Sequence, residues 1–185
     1  MNTKNNQRKR LTKMLFKNAM MDLLKEKGSI EKITVKELCQ RAELNRSTFY
    51  AHYEEPKDLY NEIENDLLDA TASHLKLIGE GNDISAHKFI LSFIKYIREN
   101  DKQFRTLFIE TSTDFKSRFV QQSIVQIIDK FNMPLPKEIE QYVYSYVLNG
   151  SSGIITQWIR SNYSVEEDII VDLLFKLNES ALKGI

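Results

Sequence analysis

Residues 44–60 concentrate polar groups of the kinds that bind phosphates and base edges. The stretch reads LNRSTFYAHYEEPKDLY and carries hydroxyls, an amide, a guanidinium, an imidazole and an ammonium group. Hydroxyls, amides and cations contact phosphate oxygens and the hydrogen-bonding edges of bases. A short helix that presents so many of them outward buries little apolar surface of its own. The stretch therefore predicts a surface for an external partner.

The segments around this stretch predict two short helices that follow a long one. Residues 6–27 show apolar side chains at helical spacing, with lysines and arginines on the opposite face. Thr34 followed by Glu37 is a capping-box pattern that begins a second, short helix. Asn45 is a suitable N-cap for a third helix over about residues 46–52. Two short helices joined by about three residues match the helix-turn-helix plan.

A helix-turn-helix places its second short helix in the major groove of DNA, and the residue types here suit that position. The first turn of the third helix carries Arg46, Ser47 and Thr48. Phe49 is predicted to point inward and to pack against the first two helices. The polar aromatic side chains that follow are Tyr50, His52 and Tyr53.

The formal net charge is zero, but basic and acidic residues are unevenly distributed. Residues 1–57 hold 13 Lys and Arg against 7 Asp and Glu, a balance of +6, and residues 58–185 have a balance of −6. A basic segment predicts an anionic partner, either a nucleic acid or a membrane surface. Because the apolar stripes of the first three helices are used in packing them together, no continuous hydrophobic face is left to enter a membrane. DNA is therefore the favoured partner.

Residues 9–69 resemble the DNA-binding domain of TetR-type transcriptional regulators. The resemblance rests on the run ITVKELCQRAELNRSTFYAHYEEPKDLYNEI. Members of that family have a Thr-capped second helix, a third helix that ends in a Phe-Tyr-x-His-Phe-like run, and then a lysine before an acidic-Leu pair. The matching positions are Thr34, the run FYAHY at 49–53, and Lys57, Asp58 and Leu59. The departures from the family pattern are mild and fall at Cys39, Ser47 and Pro56.

The resemblance implies roles for individual side chains. Those expected to contact phosphates are Thr34, Tyr50, His52, Tyr53 and Lys57, with further backbone contacts from Arg8, Lys9 and Arg10. Those expected to face the groove are Lys36, Arg46, Ser47 and Thr48, with Arg46 the best candidate for a guanine edge. Alternatives stay open: Tyr53 is expected to lie partly in the core, His52 could cap the helix, and Lys57 could be solvated surface.

The remainder of the chain predicts an all-α fold of about nine helices. A fourth helix is predicted over residues 56–79, with proline in its first turn. Further helices are predicted over about residues 84–99, 101–111, 114–131, 136–161 and 165–183. The predicted domains are a helix-turn-helix domain over residues 9–69 and an all-helical C-terminal domain over residues 70–185, joined by the long fourth helix.

The last two predicted helices carry the features of a dimer interface. Gly150 and Gly153 lie within one helix, where a glycine costs roughly 1 kcal/mol relative to alanine, so a close helix approach is the predicted reason for them. The residues assigned to this interface are Val147, Gly150, Gly153, Ile154, Ile170, Leu173, Leu174 and Leu177. Two such helices from each subunit would form a four-helix bundle about a two-fold axis. A monomer core is the alternative; the dimer is favoured because a palindromic site needs two recognition helices.

The C-terminal domain is rich in aromatic residues, some of which could line a ligand pocket. The candidate pocket residues are Phe93, Phe104, Phe108, Phe119, Tyr146 and Trp158. Aromatic side chains at helical spacing also form ordinary cores, so a filled core is the alternative. The run YVYSYVLNGSSGIITQWIRSNYSVEEDII is similar to the C-terminal domain of a subgroup related to regulators of dihydroxyacetone kinase genes. That resemblance implies that a protein partner could bring the signal in place of a small molecule.

The sequence offers no constellation for catalysis, a metal ion or another cofactor. Cys39 is the only cysteine and is expected in the core, and His74 and His87, both expected at the surface, lack the i, i+4 spacing of a helical metal pair. No apolar run is long enough for a membrane span, and the N-terminus has no signal-peptide core. A cytoplasmic protein is expected.

Together these observations predict a homodimeric DNA-binding transcriptional regulator that is not an enzyme. It is expected to repress at a palindromic operator and to be released by a small-molecule or protein effector. The effector would change the separation of the two DNA-binding domains through the fourth helix. The alternative is a helical protein-interaction regulator or coactivator whose signal comes from a partner protein.

Overall fold

The computed structural model describes residues 3–79, 85–111, 115–122 and 136–183. Over these residues the chain is all-α, as predicted, and holds no strand. The helices are α1 (Thr3–Lys27), α2 (Val35–Ala42), α3 (Arg46–Tyr50), α4 (Pro56–Gly79), α5 (Ala86–Glu99), α6 (Asp101–Arg105), α7 (residues 115–122), α8 (Lys137–Arg160) and α9 (Glu167–Lys183). A 3-10 turn, Ile30–Lys32, precedes α2, and a π-helical segment, Thr106–Glu110, follows α6.

Most of the predicted helices are present with close boundaries. The α4 helix spans the predicted range, whereas α3 ends at Tyr50 and not at His52. The helix predicted over residues 101–111 is α6 followed by the π-helical segment. Of the helix predicted over residues 114–131, the part from 123 onward lies outside the described residues.

Local capping explains where the two short helices begin. Thr34 has an extended backbone and forms the predicted capping box with Glu37 at the start of α2. Glu43 ends α2 in a left-handed conformation with φ of 55°, which turns the chain toward α3. Asn45 then caps α3, as predicted, with its side chain accepting from the Thr48 amide.

The chain folds into two compact units, and the division between them falls inside α4, between Leu67 and Leu68. The first unit, which we call the head, contains the chain up to Leu67 and a short segment that begins at Glu110. The second unit, which we call the body, contains the rest of the described residues. The predicted domain limits, 9–69 and 70–185, stay predictions.

Aromatic side chains form the centre of the head. Phe16 on α1 contacts Phe49 on α3 edge-on, with ring centroids 5.3 Å apart, and contacts Tyr53 at 6.5 Å. Phe16 and Phe49 are both 0% exposed, so Phe49 points inward as predicted. Edge-to-face pairs of this kind contribute about 0.5–1.5 kcal/mol beyond the burial of their surface.

Ion pairs join α1 to the first half of α4. Lys13 and Lys17 approach Glu62 with nitrogen–oxygen distances of 2.8 and 2.6 Å, and Lys17 also approaches Asp66 at 2.5 Å. Burial alone would lower the pKa of Lys17, but hydrogen bonds to Asp66 and Glu62 outweigh it and raise that pKa. Burial would raise the pKa of Glu62, but the two lysines lower it. The network fixes α1 against the helix that leaves the head.

In the body, α9 packs against α5 and α8, and α6 packs against α8. Arg105 on α6 donates to the Ile159 carbonyl at 3.0 Å. Its guanidinium also donates two hydrogen bonds to the Asp101 carboxylate, at 3.0 and 3.3 Å. Trp158 donates its indole N–H to the Val165 carbonyl at 2.7 Å, in the turn before α9. These bonds fix the C-terminal end of α8 against its neighbours.

No helix among the described residues has both the length and the apolar content needed to cross a membrane.

Candidate nucleic-acid interface

The start of α2 presents an exposed threonine whose hydroxyl is already in use. The Thr34 hydroxyl donates to the Glu37 carboxylate at 2.9 Å and accepts from the Glu37 amide at 3.3 Å. Lys27 donates to the other carboxylate oxygen at 2.6 Å. The Lys27 ammonium, followed by Thr34, lowers the pKa of Glu37 to about 2. The predicted phosphate contact of Thr34 would therefore add to a formed capping box.

At the start of α3 the polar side chains are likewise hydrogen-bonded to one another. The Asn45 side-chain oxygen accepts from the Thr48 amide at 2.8 Å, from the Thr48 hydroxyl at 2.6 Å and from the Ser47 hydroxyl at 2.8 Å. These three bonds fix the direction of the first turn of α3. Arg46 lies in the same turn and is exposed.

An open groove lies between α2 and α3. Lys36 contributes to one side of it and Arg46 to the other, and both side chains are exposed. The complete lining is Lys36, Cys39, Gln40, Glu43, Leu44, Asn45 and Arg46. Cys39 is 6% exposed, as expected for a core residue, and burial raises the pKa of its thiol. The structure thus brings two of the predicted groove-facing cations to one recess.

The polar aromatic residues after Phe49 divide between the surface and the core. Tyr50 is 58% exposed, and its ring contacts Phe49 edge-on at 5.7 Å. Tyr53 is 5% exposed, and its ring lies 5.5 Å from the Lys13 ammonium. Burial, followed by the nearby Glu62 carboxylate, raises the pKa of Tyr53. The expectation that Tyr53 is partly core is confirmed, and its burial disfavours the predicted phosphate contact.

His52 is half-buried beside basic side chains. Burial, followed by the positive charges of Lys13 and Lys9, lowers the pKa of its imidazole below the ordinary 6.5. The ring is therefore neutral at pH 7, and a contact with phosphate there would come from a neutral N–H donor.

The first turn of α4 holds Lys57 at the surface. Asp58 accepts the backbone N–H groups of Glu54 and Glu55, both at 3.0 Å, and so fixes the turn that precedes the helix. Lys57 is exposed in that fixed turn, and the basic run Arg8–Arg10 of α1 is exposed as well. Exposed cations of this kind are able to contact phosphate oxygens.

The candidate pocket residues of the body largely pack against one another. Phe119 contacts Phe104 at 5.3 Å, Phe108 at 5.0 Å and Phe93 at 6.2 Å between ring centroids. These four rings and Trp158 are each at most 8% exposed. The described side chains thus form a packed aromatic core at this point.

Tyr146 does not share this environment. Its side chain is 66% exposed, so the structure corrects its assignment to the pocket. The physical reason is helical phase: Tyr146 lies one turn after Tyr142, which is 67% exposed, and on the same side as Gly150 and Gly153.

The predicted dimer residues fall into two groups. Gly150, Gly153, Leu173 and Leu177 are exposed. Apart from its chain neighbours and the nearby backbone of its own helix, a methyl group built on either glycine would meet no atom within 4 Å. Val147, Ile170 and Leu174 are buried within the protomer, with exposures of 8, 6 and 3%, and Ile154 is half-buried. Sequence reasoning did not assign Tyr142 to this face, although its i, i+4 spacing to Tyr146 was a usable signal.

Two hydroxyls on α8 are buried, which the sequence did not predict. Ser152 and Thr156 lie one turn apart, are 4 and 5% exposed, and have no hydrogen-bond partner among the residues that the structure describes. A buried hydroxyl without a partner costs about 1–3 kcal/mol. Their sequence context, GSSGIITQW, gives no signal that separates them from solvent-facing residues.

Among the described residues, no group of three or more His, Cys, Asp and Glu side chains is placed to hold a metal ion. The two histidines of the body have other contacts. His74 stacks on Tyr96 at 4.4 Å, and His87 pairs with Asp172 at 2.8 Å. Both histidines are partly exposed, and each has a neighbour that the sequence did not indicate.

Comparison with known proteins places the body in a known family of domains. The TetR-type family described as "Transcriptional regulator C-terminal region" matches residues 85–180, a little over half of the 185-residue chain. No curated protein matches the chain.

Similar solved structures share the all-helical fold at low sequence identity. A TetR transcriptional regulator from Streptococcus agalactiae 2603V is 19% identical over 94% of this chain and 97% of its own, with a TM-score of 0.72. The dihydroxyacetone kinase operon activator DhaS is 17% identical over 94% and 97%, with a TM-score of 0.62. RolR in complex with the ligand resorcinol is 13% identical over 96% and 94%, with a TM-score of 0.52.

Proposed function

Because the chain belongs to the TetR-type family of transcriptional regulators, which are DNA-binding transcription factors and not enzymes, we propose that it is a homodimeric repressor. In this proposal the head binds a palindromic operator and an effector of the body releases it. A regulator of this kind acts on the chromosome, so the cytoplasm remains the predicted location.

The observation that carries the DNA-binding surface is the exposed polar face of α2, α3 and the first turn of α4. Lys36 and Arg46 flank one open groove, with Ser47 and Tyr50 exposed beside it. An arginine at such a place can bind guanine O6 and N7 with two parallel hydrogen bonds. Lys57 is exposed in a fixed turn and is suited to a phosphate, which positions the protein without reading sequence.

Substitution of these two cations separates base reading from phosphate binding. Arg46→Ala should weaken binding to the operator by about 1–3 kcal/mol and leave binding to a scrambled duplex nearly unchanged. Lys57→Ala should weaken binding to both duplexes and reduce the salt slope by about 1. The operator duplex is obtained by selection from a random library, and affinity is measured by fluorescence anisotropy across a salt series.

Matched controls are available on the body. Arg160 at the end of α8 and Lys95 on α5 are exposed, and their alanine variants should bind both duplexes like the unsubstituted protein. Unchanged operator affinity in Arg46→Ala and Lys57→Ala would contradict the proposed surface. Selection of no preferred sequence at all would contradict sequence-specific binding.

The exposed apolar face of α8 and α9 supports the proposed homodimer. Ile169, Leu173 and Leu177 are 59, 43 and 46% exposed and recur every fourth residue along α9. On α8 the exposed tyrosines and the two exposed glycines line one side of the helix. Ser151 and Asn178 hydrogen-bond to each other between α8 and α9 at 3.1 and 3.3 Å, which holds the two helices side by side. Such a paired helical face suits an isologous four-helix contact.

A buried charge tests this dimer face. Leu173→Glu should convert the dimer to a monomer in sedimentation velocity, because a carboxylate is costly in a dry interface. Leu77 on α4 is 70% exposed, so Leu77→Glu makes the same change outside the face and should leave the dimer intact. Equal behaviour of the two variants would contradict the assignment of the interface.

For the effector, the unpartnered hydroxyls of Ser152 and Thr156 favour a small molecule with hydrogen-bonding groups. A compound that releases the protein from its operator should act several-fold more weakly on Ser152→Ala and Thr156→Val. Equal sensitivity of both variants would contradict a role for these hydroxyls. The alternative, a signal from a partner protein, is supported by the packed contacts of Phe93, Phe104, Phe108 and Phe119 with one another.

A second candidate function is activation. The similar structure DhaS is described as an operon activator. A reporter gene placed behind the selected operator separates the two: repression lowers the transcript level when the protein is present, and activation raises it.

A further inference from the structure

The Asn45 side chain has a fixed orientation. Its oxygen accepts the backbone N–H of Thr48 at 2.8 Å. A backbone N–H can only donate, so the atom that faces it must be the carbonyl oxygen and not the amide nitrogen. The identity of this atom decides what its other neighbours do.

The two hydroxyls beside that oxygen must both donate to it. The Ser47 hydroxyl lies 2.8 Å from the Asn45 oxygen and the Thr48 hydroxyl lies 2.6 Å from it. An amide carbonyl oxygen carries no proton, so each hydroxyl uses its single O–H in this contact. Each hydroxyl oxygen then has only lone pairs left for a further hydrogen bond. It can therefore accept such a bond but cannot donate one.

The remaining acceptors lie on the proposed DNA-binding surface. Ser47 is exposed, Thr48 is half-buried, and the neighbouring Asn45 and Arg46 line the groove between α2 and α3. In the major groove the hydrogen-bond donors are the exocyclic amino groups of adenine and cytosine, whereas guanine O6 and N7 and thymine O4 accept. An outward-facing acceptor therefore attracts the amino groups of adenine and cytosine and repels guanine O6, guanine N7 and thymine O4.

From this geometry, and resting on the DNA-binding function proposed above, we infer that Ser47 and Thr48 act as preset hydrogen-bond acceptors that select an adenine N6 or cytosine N4 amino group. Arg46 in the same turn offers only donors. The first turn of α3 therefore presents both polarities side by side, with the donor and acceptor roles fixed before DNA arrives. Fixed roles reduce the reorganisation that binding requires.

Single-atom base analogues test the inference on the full-length protein. The probe is the duplex selected from a random library by the unsubstituted protein. Each amino group is removed in turn, with purine in place of adenine or 2-pyrimidinone in place of cytosine. At least one such removal should weaken binding about 2- to 10-fold, the effect of one lost hydrogen bond. The same removal should have no effect in Ser47→Ala or in Thr48→Val, whichever side chain makes the contact.

Variants of the cap provide the second measurement. Asn45→Ala removes the shared acceptor and frees both hydroxyls to rotate. The hydroxyls can then donate as well as accept, so the penalty for amino removal should become smaller than in the unsubstituted protein, and tolerance of guanine O6 or thymine O4 at that position should rise. Asn45→Asp keeps an acceptor and a helix cap. It should keep the penalty even if its added negative charge weakens binding to every duplex alike. The unfolding midpoint of each variant shows that the head remains folded.

The outcomes separate this inference from the function beneath it. Suppose that the protein selects a sequence and that Arg46→Ala weakens operator binding. If substitution of Ser47 or Thr48 then changes the penalty for no base analogue, or only for changes at guanine O6 or thymine O4, the inference is wrong and the DNA-binding function stands. If no sequence is selected, both fail.

Discussion

The hydroxyl groups in the caps of α2 and α3 in the head and the buried hydroxyl groups of Ser152 and Thr156 on α8 in the body are in opposite hydrogen-bonding states. In the head, the hydroxyls of Thr34, Ser47 and Thr48 all have partners within their own caps. On α8, the hydroxyls of Ser152 and Thr156 are buried and have no partner within the described part of the chain. A satisfied cap gives one fixed geometry, whereas an unpartnered buried hydroxyl keeps bonding capacity for something else. The contrast agrees with the proposed DNA-binding role of the head and the proposed effector response of the body.

The largest expected effect concerns the aromatic cores of the two regions. Phe49→Ala and Phe104→Ala each remove a ring that is 0% exposed and should cost about 3–5 kcal/mol of unfolding free energy. Operator affinity, measured below the unfolding transition, should fall far more for Phe49→Ala, because Phe49 supports the helix that carries Arg46. Chemical denaturation gives the stability and anisotropy gives the affinity. Equal losses of operator affinity in the two variants would contradict the assignment of DNA binding to the head and not to the body.

The next effect tests the hydroxyls directly. Thr156→Val should stabilise the protein by about 1–3 kcal/mol, because it removes a buried polar atom that has no partner. Thr48→Val removes a hydroxyl that donates at 2.6 Å and should destabilise by about 0.5–1.5 kcal/mol. Urea unfolding of both variants measures the difference. If both variants changed the unfolding free energy in the same direction, the contrast between partnered hydroxyls in the head and unpartnered hydroxyls in the body would be wrong.

A smaller effect tests the exposed glycines of α8. A methyl group at Gly153 meets nothing within 4 Å in the protomer, so Gly153→Ala should stabilise an isolated protomer by about 1 kcal/mol through helix propensity. A weaker dimer in this variant, measured by sedimentation equilibrium, would therefore locate a close approach by the partner subunit. An unchanged dimer constant would show that no partner helix approaches Gly153.

The smallest effect follows from the α2 cap. The folded-state pKa of Glu37 is about 2, below its ordinary 4.5, so the ionised carboxylate stabilises the folded head. This contribution is complete above about pH 4.5 and is lost as the pH falls toward 2. The difference in unfolding midpoint between the unsubstituted protein and Glu37→Gln should be larger at pH 7 than at pH 3. A difference that does not depend on pH would contradict the Lys27–Glu37–Thr34 geometry.

Much of the head could be predicted from sequence because its signals are local. Thr34 with Glu37, Asn45 before a polar turn, and Pro56 before an apolar period each act within a few residues, and the structure contains both predicted caps and the predicted α4. The all-α fold also follows from local periodicity.

What sequence could not supply depends on contacts between distant residues. The burial of Tyr53 depends on Phe16, 37 positions earlier, and the exposure of Tyr146 depends on which side of α8 meets α9. The π-helical segment after Arg105 breaks a pattern that reads as a continuous helix. Hydrogen-bond polarity at Ser47 and Thr48 requires distances to one oxygen atom, which residue types alone do not give.

The most direct test of the central claim is lysine acetylation, read by mass spectrometry, with and without the selected duplex. Lys36, Lys57, Lys95 and Lys176 are all exposed in the free protein. If the face formed by α2, α3 and the first turn of α4 binds DNA, the duplex should suppress acetylation of Lys36 and Lys57. Lys95 and Lys176 in the body should stay reactive. High salt should restore the acetylation of Lys36 and Lys57, because it weakens DNA binding. Protection of the body lysines, or equal reactivity of all four with DNA bound, would contradict the account.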